Sequence, residues 1–168
     1  MGQFKRPGDP QAYGFVSTDT NVNGGLMVWD PTATATGAAG AYGAARPLPA
    51  GIGSSGAFFL GVAQFQYPLS SPIDNNNPQA LTYRGAVRRS GIFPMKTTAS
   101  ETYVHGTALY ATAGGDGLTV TTVSSGNTLV GYANVPDGSQ VVGATGVTVD
   151  LELSQNLTYS SNSILSVI

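Results

Sequence analysis

The chain has 168 residues, a length that suits one domain with a real core. It contains no cysteine, which excludes a disulfide framework, a thiolate metal site and a cysteine nucleophile. Only 10% of it is charged and the net charge is −2, so it lacks the broad basic surface that nucleic acid demands, and no run approaches the roughly 18 apolar residues of a membrane span.

Residues 1–12 are rich in glycine and proline, with Phe4, Lys5 and Arg6 near the front. Pro7 and Pro10 disfavour both helix and ladder, so a flexible or extended arm is expected, with the aromatic Phe4 favouring a docking role. No apolar signal core follows Met1, which predicts synthesis in the cytosol. Tyr13–Thr18 and Leu26–Asp30 flank Asn21-Val22-Asn23-Gly24-Gly25. Asn-Gly between extended runs predicts a hairpin, because both residues tolerate positive φ. Trp29, the only tryptophan, is expected in the core.

Residues 31–57 are Ala/Gly/Thr/Pro-rich with few large side chains, and predict a surface loop ordered against a neighbour. Ala57–Tyr67 reads as a buried strand. The prolines and Asn75-Asn76-Asn77 within 68–79 predict an exposed excursion. Ala80–Phe93 reads as one long strand or a bent pair, with Gly85 and Gly91 where a barrel strand would bend. Thr98-Ala99-Ser100-Glu101 has capping-box spacing and predicts one short helical turn before Gly106.

From Val104 to Leu153, four β-branched or aromatic runs alternate with glycine-rich turns, the pattern of an antiparallel meander. Residues 154–168 form a tail whose apolar end, Ile164–Ile168, can add a strand to a sheet edge. No long-period repeat is apparent. The fold class expected is therefore all-β: a small antiparallel β-barrel or sandwich over residues 13–153, with loop insertions at 31–57 and 68–79, an N-terminal arm and a C-terminal tail.

Charge is unevenly placed. Up to Lys96, seven cations face four carboxylates, a net of +3; from Thr97 onward there is no Lys or Arg and the net is −5. Such asymmetry can orient subunits on one another or on a charged partner. Arg84, Arg88 and Arg89 form the one basic cluster and suit an interface with a carboxylate-bearing protein.

Little points to catalysis. His105 is the only histidine and stands just before a glycine, with no Gly-x-Ser-x-Gly elbow anywhere. Asp150 and Glu152 alternate on a strand and share a face. Paired carboxylates can serve glycoside hydrolysis, but they equally make a solvated strand face. Gly114-Gly115-Asp116-Gly117 lacks the lysine of a phosphate loop and reads as a turn. No cofactor or small-molecule substrate is expected.

Five motifs in order carry a resemblance: Gly61-Val62-Ala63; Arg84-Gly85-Ala86-Val87 running into Ser90-Gly91-Ile92-Phe93; His105-Gly106-Thr107-Ala108-Leu109-Tyr110; Gly126-Asn127-Thr128-Leu129-Val130-Gly131-Tyr132-Ala133; and Val147-Thr148-Val149-Asp150-Leu151. Across about Phe59–Leu153 the chain resembles the small β-barrel capsid cement, or head decoration, proteins of tailed bacteriophages. The resemblance implies a homotrimer on the outer surface of the virion, bound to the major capsid protein where capsomers meet and stabilising the mature head. It carries over no catalytic residues. The interface residues expected from the sequence are Phe4, Lys5, Arg6, Arg84, Arg88 and Arg89. The alternative class is a β-sandwich adhesion or carbohydrate-binding module of a viral fibre or surface protein; a hydrolase using Asp150 and Glu152 is the third.

Overall fold

The computed structural model describes residues 11–14, 19, 24–34, 43–48, 56–64, 84–112 and 115–153. The excursion at 68–79, the tail at 154–168, and Phe4, Lys5 and Arg6 lie outside the described residues. The described residues form an all-β structure. Its first five strands are β1 (Gln11–Gly14), β2 (Leu26–Asp30), β3 (Ala44–Pro47), β4 (Phe58–Gln64) and β5 (Arg84–Arg88). They make one curled sheet in the order β1-β5-β4-β2-β3.

Then come β6 (Gly91–Thr97), β7 (Thr102–Tyr103), β8 (Ala108–Ala111), β9 (Thr119–Thr121), β10 (Thr128–Asn134), β11 (Val141–Val142) and β12 (Thr148–Leu153). Five of these close a barrel in the order β10-β12-β6-β9-β8, while β7 and β11 pair as a small separate ribbon.

The curled sheet and the barrel are one construction built twice. Read from β6, the barrel order is β6-β12-β10-β8-β9, and each strand matches its counterpart in β1-β5-β4-β2-β3 in chain order once the ribbon is set aside. The registers agree residue by residue. Leu26, Met27, Val28 and Trp29 oppose Val62, Gly61, Phe59 and Phe58, with a slip after Met27. Ala108, Leu109, Tyr110 and Ala111 oppose Tyr132, Gly131, Leu129 and Thr128, with a slip at the same place. Val62, Ala63 and Gln64 oppose Arg88, Val87 and Ala86, as Tyr132, Ala133 and Asn134 oppose Glu152, Leu151 and Asp150.

Even the entry turns coincide. The Gly24 amide donates to the Ala63 carbonyl and the Ala63 amide to the Gly25 carbonyl, both at 2.8 Å. Gly106, Ala133 and Thr107 repeat those two bonds at 2.8 Å each. The chain is a tandem repeat, and the expectation of no long-period repeat is corrected.

Two glycines explain the slips. At Gly61 a β-carbon would run into the carbonyl of Arg88, and at Gly131 into the carbonyl of Glu152. The bulge brings neighbouring backbones too close for any side chain, so each unit needs glycine there.

Alternation then sorts each unit into an inside and an outside. Inside the first unit lie Met27, Ala45, Leu60, Ala63 and Val87, with Trp29 and Phe58 packed against them. Their counterparts Leu109, Val120, Val130, Ala133 and Leu151 fill the barrel. The second unit closes through a parallel pairing of β6 with β9, Lys96 opposite Thr119 and Thr97 opposite Val120. The equivalent edges, β1 and β3, approach each other without a ladder among the described residues.

The units are joined along one side. Leu26, Val28 and Val62, on the outer face of the first unit, are 0%, 3% and 0% exposed because they belong to the barrel's own apolar cluster. The Leu26 amide donates to the Gly117 carbonyl at 2.8 Å, tying β2 to the loop between β8 and β9.

Four further expectations change. The hairpin of Tyr13–Thr18 with Leu26–Asp30 is not formed: β1 pairs with β5, and β2 lies between β3 and β4. Gly24, at φ 82°, turns the chain onto β4 instead. The stretch 31–57 is not all surface loop, since it carries β3, with Ala44, Ala45 and Leu48 fully buried. Small residues are what that site accepts: a β-carbon at Gly43 would strike the Trp29 ring.

The four runs from Val104 to Leu153 do not form a simple meander. β10 pairs with β8 and β12, and β9 pairs with β8 and β6. The helical turn at Thr98–Glu101 is a tight turn with Ser100 at φ 65°, and the Glu101 side chain reaches across to β9 rather than back to Thr98. Ala80–Phe93 resolves as the bent pair, with the bend at Arg89–Ser90 and Gly91 at φ 120°.

Candidate functional site

Arg84 and Arg88 sit at the two ends of β5, and Arg89 lies at its joint with β6. The side chain of Arg84 lies outside the described residues. Arg88 is half-buried and its Nε donates to Oε1 of Gln64 on the neighbouring strand. Arg89 is exposed. The joint is therefore a place where the first unit presents positive charge.

Among the described residues the other two cations, Arg46 and Lys96, are committed elsewhere. Arg46 on β3 donates through Nε and an Nη to the two carboxylate oxygens of Asp19, at 2.7 and 2.8 Å, and reaches Asp30 at 3.4 Å. Those partners hold its guanidinium charge against the cost of burial and raise its pKa. Lys96 meets Asp116 at 3.1 Å on the surface, a contact worth about 0–1 kcal/mol.

On the barrel's outer surface the register builds a second feature. Ile92, Glu152, Tyr132 and Ala108 form one row across β6, β12, β10 and β8. Pro94, Asp150 and Asn134 form the next. Asp150 and Glu152 are both exposed on one face, as their spacing predicted. Neither makes an ion pair among the described residues; Glu152 accepts one long bond, 3.4 Å, from the Asn134 amide. Beside them Tyr132, Leu129 and Tyr110 are partly buried, and Ile92 is 53% exposed.

The strongest polar cluster is one that sequence reasoning missed. The Glu101 carboxylate accepts from the Thr121 hydroxyl at 2.6 Å, the Thr122 amide at 2.6 Å, the Thr122 hydroxyl at 3.1 Å and the Tyr103 hydroxyl at 3.1 Å. Burial alone would push its pKa up; the four bonds outweigh that and hold it below the ordinary glutamate value. Tyr103 is fully buried, accepts the Thr98 amide at 2.9 Å and also reaches the Val120 carbonyl at 3.1 Å. Burial raises its phenol pKa.

This knot pins the β6–β7 turn to β9 beside the barrel's parallel seam. Its donors and acceptors are used up in holding strands, and its groups are a structural device. The capping-box spacing flagged Glu101 as an acceptor of free amides, but the amide it finds is twenty-one residues away.

His105 is exposed in the turn before β8. Among the described residues no His, Cys, Asp or Glu side chains gather as a metal site, and no helix is long and apolar enough to cross a membrane. Comparisons with protein-family models, curated proteins and solved structures found no match to this chain.

Proposed function

We propose that the chain is a structural protein of a virus particle: a capsid cement protein that binds the outer surface of a mature tailed-phage head at capsomer junctions, as a homotrimer on the major capsid protein, without catalysis. The observation that carries this reading is where the resembling motifs fall. Gly61-Val62-Ala63 and Gly131-Tyr132-Ala133 are the paired central segments of the two units, and Val147–Leu151 leads into and along β12, which lies between β10 and β6 in the second. The motifs therefore mark the architectural strands, as they would in a protein whose work is to present a rigid surface.

Two physical features support the same reading. The groups best suited to chemistry, Glu101, Tyr103, Asp30 and Arg46, are bound into networks that hold strands together. The sparse charge leaves large surfaces with little hydration to lose on docking. A multivalent subunit gains from that, because its second and third contacts are intramolecular and weak contacts add up.

The test is to mix the purified protein with expanded, undecorated heads. Stoichiometric binding and a higher temperature of shell rupture are expected. Heads that neither bind the protein nor change their rupture temperature would end the proposal.

A further inference from the structure

The two units close differently. In the second, backbone joins β6 to β9 and the residues beside it: the Lys96 amide donates to the Leu118 carbonyl at 2.9 Å and the Thr98 amide to the Val120 carbonyl at 3.2 Å. In the first, the equivalent strands β1 and β3 approach each other with no ladder among the described residues. What ties that side together there is a pair of side chains.

The register identifies the pair. Gly14 lies opposite Arg84 as Lys96 lies opposite Thr148, and Asp19 and Glu101 each stand five residues further along. Arg46 lies opposite Val28 as Thr121 lies opposite Tyr110. Asp19 and Arg46 thus occupy the places of Glu101 and Thr121. Each carboxylate meets the seam strand of its own unit at the equivalent residue. Glu101 accepts from the Thr121 hydroxyl at 2.6 Å, and Asp19 accepts both bonds of the Arg46 fork, at 2.7 and 2.8 Å. The repeat has kept the device and changed its chemistry.

We infer that the Asp19–Arg46 pair is the clasp of the first unit and that β1 is a releasable strand: with the pair broken, β1 leaves the seam while β2 to β5 stay seated on the barrel.

The asymmetry follows from what else holds each strand. Around Glu101 the backbone bonds of the seam remain when the carboxylate is lost. β1 is laddered on one side only, to β5 through Gln11–Gly14. The other strands of its sheet are anchored. Leu26 and Val28 on β2, Leu48 just after β3 and Val62 on β4 belong to the barrel's cluster, and β5 is laddered to β4. Freeing β1 therefore breaks one short ladder and one ion pair, far less than unfolding the molecule, and segments with few ties open first.

The pair itself is built to hold. The Asp19 side chain is 6% exposed and that of Arg46 24%, and Asp30 adds a second carboxylate at 3.4 Å. A shielded two-bond fork is stronger than a surface contact such as Lys96 with Asp116. Removing the guanidinium takes away the cation that two shielded carboxylates share, which drives them apart. The inference concerns how one unit closes and holds whatever the chain binds.

Amide hydrogen exchange on the full-length chain, read strand by strand, is the test. In the unmodified protein the β1 amides should exchange about tenfold or more faster than those of β6, their counterparts. Arg46→Met and Asp19→Asn should each speed β1 by about a further tenfold and leave β6, β10 and β12 as they were. Arg46→Lys, which keeps the charge without the fork, should fall between. β1 amides as protected as those of β6 in the unmodified chain would overturn the inference, as would substitutions that speed every strand equally or none. Should neither charge-removing variant fold, the comparison of β1 with β6 in the unmodified chain decides.

Discussion

Glu101 does the work of several backbone bonds at once. Four donors converge on its carboxylate, and three of them come from Thr121 at the end of β9 and Thr122 just after it, adding to the bond from the Thr98 amide to the Val120 carbonyl in tying the β6–β7 turn to that strand. Replacing it by glutamine keeps the shape but removes the charge and leaves one terminal group a donor facing donors. Glu101→Gln should cost about 1–3 kcal/mol in urea unfolding. The pH dependence has a definite sign. The folded carboxyl titrates below the unfolded one, so its contribution is complete at neutral pH and fades as pH falls from the ordinary glutamate range through the lowered folded value. Glu101→Gln should flatten that acid limb, and an unchanged limb would show that another carboxylate sets it.

Gly131 offers a sharper test at the same scale. A β-carbon there meets the Glu152 carbonyl and the Leu151 side chain, neither of which can retreat without opening the β10–β12 ladder. Gly131→Ala should destabilise by about 1–3 kcal/mol, measured by chemical unfolding. The same change at Gly126, where a β-carbon would meet nothing within 4 Å, isolates the effect of positive φ from that of crowding.

At the scale of elements, the seat between the units is the informative place. Leu26 is a strand residue of the first unit buried in the cluster of the second. Leu26→Ala should cost about 2–5 kcal/mol, the range for emptying a packed leucine site, although the cluster it belongs to is the barrel's and not that of its own unit. A loss well under 1 kcal/mol would mean that the seat is loosely filled.

Elements were also where sequence reading succeeded unevenly. The buried strand β4 at Phe58–Gln64, within the expected Ala57–Tyr67, the bend at Gly91 and the alternating β12 were legible because alternation and glycine act locally. β3 was hidden because alanines carry no periodic signal; what admits them is the Trp29 ring across the sheet. The barrel's outer face was hidden for a related reason. Tyr132 and Leu129 look like any core residues until the register shows them pointing away from the barrel's interior.

The repeat itself left only faint marks in the sequence. Gly24 and Gly106, Gly61 and Gly131, and Ala63 and Ala133 are identical pairs, but the connectors between them differ in length, and the second unit carries the β7–β11 ribbon between its strands. A fixed period is what makes a repeat visible, and unequal loops erase it. Apolar positions were conserved in kind only, Val87 answering to Leu151 and Met27 to Leu109.

At the scale of the whole molecule, shared burial predicts cooperativity. Trp29 reports on the first unit alone, whereas far-ultraviolet circular dichroism reports on both. With Leu26, Val28, Leu48 and Val62 built into the barrel's cluster, neither unit can melt without exposing the other. The two signals should give one coincident thermal transition. An earlier tryptophan transition would mean that the first unit opens by itself.

The joint at Arg89–Ser90 has a consequence of its own. Only those two residues separate the last strand of one unit from the first strand of the next. There is no slack for one unit to swing while the other stays put. The distance between corresponding points on the two halves is therefore a fixed gauge, and under the proposed docking a lattice whose own spacing fails to match it would be gripped by one half of the molecule at a time.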